Sequence, residues 1–177
     1  RFAYRFSTAN FGFRVQADQI LPELSVSELL TYRLGENESA IDGEFEVDIR
    51  EAPLRELLLS IPKEYVIARL NAPGLNDYFV SELSDGTGSE LRLVYGQPVT
   101  GRQVVTLRLE RNQAPSLPVW NLPRVQVEKA KSLRGNIAVT VDPGFRINPQ
   151  RTQGLTEIAT TFFPKKTAGI QAAFRLS

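Results

Sequence analysis

The chain has 177 residues, and its 21 Lys and Arg stand against 20 Asp and Glu, a net charge of +1. That balance supplies no basic face for nucleic-acid phosphates, and a composition of 42% hydrophobic and 23% charged residues is that of a folding chain, not a disordered one. Cys, His and Met are absent, which removes disulfides, thiol nucleophiles, His-activated serine chemistry and the usual zinc and copper sites.

Carboxylate pairs, Ser/Lys dyads and oxygen-ligand metals are the chemistry that remains. No run approaches the 18 apolar residues of a membrane-spanning helix; the densest, Leu57-Leu58-Leu59, stops at once. The start has no basic-then-apolar leader, and the chain reads as a piece of a longer protein.

In chain order, short amphipathic stretches predict leading strands within residues 1–20, at Phe2 to Phe6 and Phe11 to Val15. A strand is expected from Val26 to Leu34. Phe45, Val47 and Ile49 then alternate with Glu44, Glu46 and Asp48, the pattern of a strand with one wet face. The segment Ala52 to Leu59 has a proline near its start and leucines at helical spacing, yet Pro62 closes it within two turns. Helices that short are marginal, so a strand is expected there too.

Further strands are expected from Tyr65 to Leu70 and from Tyr78 to Leu83. Leu91, Leu93 and Tyr95 alternate with Glu90, Arg92 and Val94, the last of which breaks the polar set, and Val105, Leu107 and Leu109 alternate with Thr106, Arg108 and Glu110. Pro73-Gly74, Asp85-Gly86-Thr87-Gly88, Gly96-Gln97-Pro98, Pro143-Gly144 and Asn148-Pro149 read as turns. Residues 113–123 carry Pro115, Pro118, Pro123 and the single Trp, and read as an extended connector. After it, strands are expected at Arg124 to Glu128, Ile137 to Val141 and Ile158 to Phe163.

This spacing predicts an all-β, mainly antiparallel β-sandwich of immunoglobulin-like architecture, with a second small β region. The divisions are leading strands over 1–20, a sandwich over 21–112, the connector over 113–123 and the second region over 124–177. The last two readings, one domain or two, stay open. Phe2-Ala3-Tyr4-Arg5-Phe6-Ser7 aligns with Ala172-Ala173-Phe174-Arg175-Leu176-Ser177 at a constant offset of 170 residues, with Ala, Arg and Ser identical. Two amphipathic strands can look alike by chance over six positions; a true period of this length would make the chain one unit of a tandem array.

The stretch Phe45 to Leu54, followed by Leu59-Ser60-Ile61-Pro62 and by Leu107 to Asn112, resembles β-sandwich regions of very large, uncharacterised bacterial cell-envelope repeat proteins. The resemblance implies an extracytoplasmic scaffold, in the periplasm or at the cell surface. It carries over no catalytic residue.

Each motif has a plain reading beside its functional one. Ser84 to Gly88 echoes an aspartic-protease loop in the wrong order, and Asp-Gly is foremost a hairpin turn. Glu36, Glu38, Asp42, Glu44, Glu46 and Asp48 could offer oxygen to calcium or supply a glycosidase pair. Their alternation instead describes a solvated strand face. Arg92, Arg102, Arg108 and Arg111, beside Glu90 and Glu110, read as cross-strand ion pairs. Lys165-Lys166 reads as a turn, and Asn37-Glu38-Ser39 matches a glycosylation pattern.

Trp120, Tyr78 and Phe79, with Phe162 and Phe163, are the candidates for an aromatic ligand platform, although aromatics in such folds more often belong to the core. The favoured expectation buries them, with Trp120 at most partly exposed. The functional expectation is a non-enzymatic structural or interaction module of a multidomain cell-envelope protein, with no catalytic residue, metal or cofactor. Its partners would be neighbouring domains of the same chain or other envelope proteins, without nucleic acid or a membrane span. The alternative is a module that binds carbohydrate or another ligand for an attached enzyme.

Overall fold

A computed structural model describes residues 3–5, 7–113 and 119–177. The parts of the leading strand at Phe2 and Phe6, and the connector prolines Pro115 and Pro118, lie outside the described residues. Nine strands follow one another as β1 (Glu23–Leu34), β2 (Ser39–Pro62), β3 (Val66–Asn71), β4 (Leu75–Glu82), β5 (Gly88–Arg111), β6 (Gln126–Val127), β7 (Ser132–Val141), β8 (Leu155–Ile158) and β9 (Ile170–Leu176). The all-β class holds, and hydrogen bonds join all nine into one mixed sheet. Every pairing is antiparallel except that of β1 with β7.

The backbone of this sheet is a ribbon of two long strands, β2 and β5, of 24 residues each. The pairing breaks register between Ile49 and Leu54 on β2, opposite Gly101 and Val99 on β5. Extra residues on β2 form a bulge there, where Glu51 takes φ 65° and Gly101 takes φ 70°. Bulges bend a strand and increase its twist. Each side of this corner therefore has its own neighbours. The Ser39–Ile49 side of the ribbon pairs with β1 and β3, and the Leu54–Pro62 side with β4 and β6.

The bulge also explains why Ala52 to Leu59 is strand. Pro53 lies among the extra residues, outside the pairing register, where its missing N–H costs no ladder bond. Beyond it Leu57, Leu59 and Ile61 alternate inward at period two and are buried.

Two expectations are corrected. Gly96-Gln97-Pro98 does not turn the chain; β5 runs straight through it, Pro98 stands in neither pairing register, and the Gly96 N–H donates to the Gly74 carbonyl at 3.0 Å. The described part of residues 1–20 holds no strand, and Phe11 to Val15 is exposed. An alternating pattern becomes a strand only when it joins the ladder of a sheet, and the nine strands of this sheet begin at Glu23. A smaller correction falls at Ile158 to Phe163, where β8 ends at Ile158 and a 3-10 turn spans Thr160–Phe162.

Strands beyond the connector build onto the same sheet: β7 runs parallel to β1, and β9 and β8 follow it outward. Their Ile137, Val139, Ala172 and Phe174 belong to one apolar cluster with Leu30, Phe45, Leu59, Leu93 and Val105. Turn signals at Pro73-Gly74 and at Asp85 to Gly88 hold. In the latter the Asp85 carboxylate accepts bonds from Thr87 N at 3.0 Å and Thr87 Oγ1 at 2.7 Å. These bonds hold its carboxyl below the usual range.

The acidic alternation of β2 is a solvated face laced with ion pairs. Arg108 bonds Asp42 across the strands at 2.7 Å and Glu110 along its own strand at 2.7 Å, and Arg102 bonds Glu46. Lys165 reaches Glu44 at 3.7 Å, and Arg111 reaches Glu64 at 2.9 Å.

Candidate functional site

The proposed aromatic platform does not assemble. Tyr78 and Phe79 are consecutive on β4, so their side chains leave the sheet on opposite faces. Both are exposed, as is Phe162 on the 3-10 turn, which corrects the expectation of burial. Phe163, by contrast, is buried against Ala138 and Ala173. Trp120 is half-buried, with its ring edge-on to Tyr32 at a centroid distance of 6.0 Å. It lines a cleft of about 1110 Å³ with Tyr65, Glu64, Arg111 and Glu128, a cleft that neither Tyr78 nor Phe79 reaches.

Trp120 belongs to a strap, residues 119–125, that crosses the inner face of β1. The Tyr32 hydroxyl donates to the Pro123 carbonyl at 2.6 Å, and Val125 at the end of the strap and Val127 of β6 are buried. Just past the strap, Ser60 donates to the Glu128 carboxylate. On the other side of this strap lies a second cleft, of about 670 Å³. Its floor holds the least expected residue of the fold.

Along β1 the inward positions are Leu24, Val26, Glu28, Leu30, Tyr32 and Leu34, all buried. Five are apolar or aromatic; the sixth is a carboxylic acid only 5% exposed. Across the ladder Glu28 stands beside Phe45 of β2 and Gly135 of β7. Its side chain lies over the glycine: a Cβ at position 135 would come within 2.5 Å of Glu28 Cγ and 2.8 Å of Leu176 Cδ1. The Glu28 Oε2 atom is buried with no hydrogen-bond partner among the described residues.

Burial pushes the Glu28 carboxyl up to about 7, against a smaller downward pull from the Arg124 guanidinium. Desolvation is the dominant cause because Phe45 and the aliphatic wall supply no dipole that would favour the charged form. Burial, with the nearby carboxyl adding to it, raises the Tyr32 hydroxyl as well. Arg124 and Arg151 line the same cleft, and neither has an ion-pair partner among the described residues. Leu122, Val125, Leu133 and Leu155 supply apolar wall.

Sequence reasoning missed Glu28, although its signal was present. In Leu24-Ser25-Val26-Ser27-Glu28-Leu29-Leu30 the acid falls in phase with the apolar set. Perturbed groups in clefts are candidates for function on physical grounds. Among the described residues no group of three or more Asp and Glu is placed to hold a metal ion, and no helix is long and apolar enough to cross a membrane.

No protein family and no curated protein matches this sequence. Among solved structures, the chain is similar to an M1 zinc metallopeptidase from Deinococcus radiodurans, at 13% identity and a TM-score of 0.46, over 88% of this chain and 38% of that one. It is likewise similar to native leukotriene A4 hydrolase from Saccharomyces cerevisiae, at 8% identity and a TM-score of 0.49, over 88% of this chain and 27% of that one. The chain thus spans well under half the length of either protein. At these values nothing of their chemistry passes to this chain.

Proposed function

We propose that this chain is a non-enzymatic structural and interaction module of a larger, cell-envelope protein, and that it docks a neighbouring domain along the open edge of β4. The observation that carries this reading is the apolar triplet Tyr78-Phe79-Val80. All three side chains are exposed, on both faces of a strand that pairs only with β5 among the described residues. An edge strand presents a row of free N–H and C=O groups, and proteins ordinarily blunt such edges with charge, proline or a cover. Here Asp77 is the third residue of β4 and Glu82 its last, reached by Lys63 at 3.4 Å, with Asp85 beyond in the turn, but the middle is bare hydrophobic surface. An extended partner segment that adds as a strand would satisfy both the backbone groups and the aromatic side chains. Asp77 and Asp85 favour a segment that carries arginine or lysine beside its apolar residues.

The tandem-array expectation belongs to the same proposal. The internal match pairs Tyr4 with Phe174 at the 170-residue offset. Phe174 is buried in β9, whereas Tyr4 is 73% exposed, lies in no strand and touches Phe13 at 5.2 Å. Such asymmetry supports a strand whose place lies in a neighbouring unit.

The test is native-state hydrogen exchange of the β4 amides in the isolated chain and in the full-length protein, each with and without Phe79→Lys. The expected outcome is fast β4 exchange in the isolated chain and slow exchange in the full-length protein, lost on Phe79→Lys. Equally fast exchange in every sample would remove β4 as a docking edge.

A further inference from the structure

A buried carboxylate oxygen without a donor bears its desolvation unrelieved, and native structures rarely leave such an atom without a role. Glu28 Oε2 is that atom, and its residue lines an open cleft instead of a sealed core. The cleft is of a size that takes a small molecule, since ligand sites run to several hundred Å³. No hydrogen-bond donor among the described residues reaches Glu28 Oε2: Phe45 flanks the acid on β2, Gly135 on β7, Leu176 of β9 lies against the same glycine, and the Arg124 guanidinium acts on it only as a nearby charge. Arg124, Arg151 and Tyr32 are the charged or titratable side chains that share its cleft, and Ser177 lines it too.

Charge pattern selects the ligand class. A simple anion would be drawn to the arginines but would set its charge near an acid. A simple cation would find Glu28 but meet two guanidinium groups that hold no ion pair among the described residues. A molecule with both charges meets both conditions, and its apolar body would lie on Leu122, Val125, Leu133 and Leu155. We propose that this cleft binds a small zwitterion with an apolar side chain, of the amino-acid type, its ammonium group on Glu28 and its carboxylate on Arg124 and Arg151. The ammonium makes charge-assisted bonds to the ionised carboxylate, so binding is coupled to loss of the Glu28 proton. The glycine at position 135 keeps the acid in place, because any Cβ there would displace it.

The experiment is calorimetric and NMR titration of the intact chain with L-leucine, L-phenylalanine, isocaproate (no ammonium) and isoamylamine (no carboxylate). At least one of the two amino acids is expected to bind saturably and more tightly than either half-molecule. Because only ionised Glu28 binds, its affinity rises about ten-fold from pH 6 to pH 8. Glu28→Gln, which keeps shape and removes charge, weakens it by about ten-fold or more and abolishes the pH dependence. Arg124→Ala with Arg151→Ala, both exposed positions, weakens the amino acid but not isoamylamine. No saturable binding of either amino acid up to about 20 mM overturns the proposal. So does isocaproate binding as tightly, an affinity flat with pH, or a Glu28→Gln chain that binds unchanged.

Discussion

Glu28 shows how one side chain can be read only against its neighbours. On β1 it occupies a position that the alternation assigns to the core, and burial raises its carboxyl from 4.5 to about 7. A carboxyl whose folded-state value lies above the unfolded one contributes stability that is full below the unfolded value and is lost as pH rises through the folded one. The window here is therefore pH 4.5 to about 7. At about 1.36 kcal/mol per unit, the loss across it is at most about 3 kcal/mol, less whatever water in the cleft screens. Urea midpoints measured from pH 4 to pH 8 should fall across that window and then level off. Glu28→Gln should flatten this slope, and an unchanged slope in that variant would assign the pH dependence to another group.

At the scale of elements, the corner of the β2–β5 ribbon decides the shape of the sheet. Gly101 holds φ 70° there, and nothing lies within 4 Å of where its Cβ would be. Gly101→Ala thus meets no clash, and its cost is the left-handed backbone alone, about 1–2 kcal/mol. Gly12→Ala, at an exposed position outside any strand and with equally open surroundings, should cost almost nothing. Denaturant unfolding of the two variants separates the contributions; equal midpoints would mean that the corner is not strained. The bulge was not legible in the sequence. Arg50-Glu51-Ala52-Pro53 holds no glycine, and the residue that takes the positive φ is a glutamate. The Gly96-Gln97-Pro98 turn was misread for the converse reason, because its glycine and proline accommodate a continuing strand at a place where the ladder makes no pair.

At the scale of the molecule, residues 3–5 and 7–22 lie outside the strands, while their matched counterpart β9 contributes Ala172 and Phe174 to the main apolar cluster and Ala173 to a smaller one. Removing residues 1–7 should therefore lower unfolding free energy by less than about 0.5 kcal/mol, the range of surface changes. Phe174→Ala should lower it by about 3–5 kcal/mol. A comparable loss from both would show that the leading segment is part of the core. Residue order alone accounts for the strand class, the wet face of β2 with its ion pairs, and the turns at Pro73-Gly74 and Asp85 to Gly88. Each rests on period-two alternation or on backbone preferences that act within a few residues. Long-range pairing is what returns β7 parallel to β1, leaves Tyr78 and Phe79 in water, and turns Glu28 into a cleft that Arg124 and Arg151 also line. Those outcomes depend on which edges meet, and pairing between residues a hundred positions apart leaves no mark in the local pattern of either.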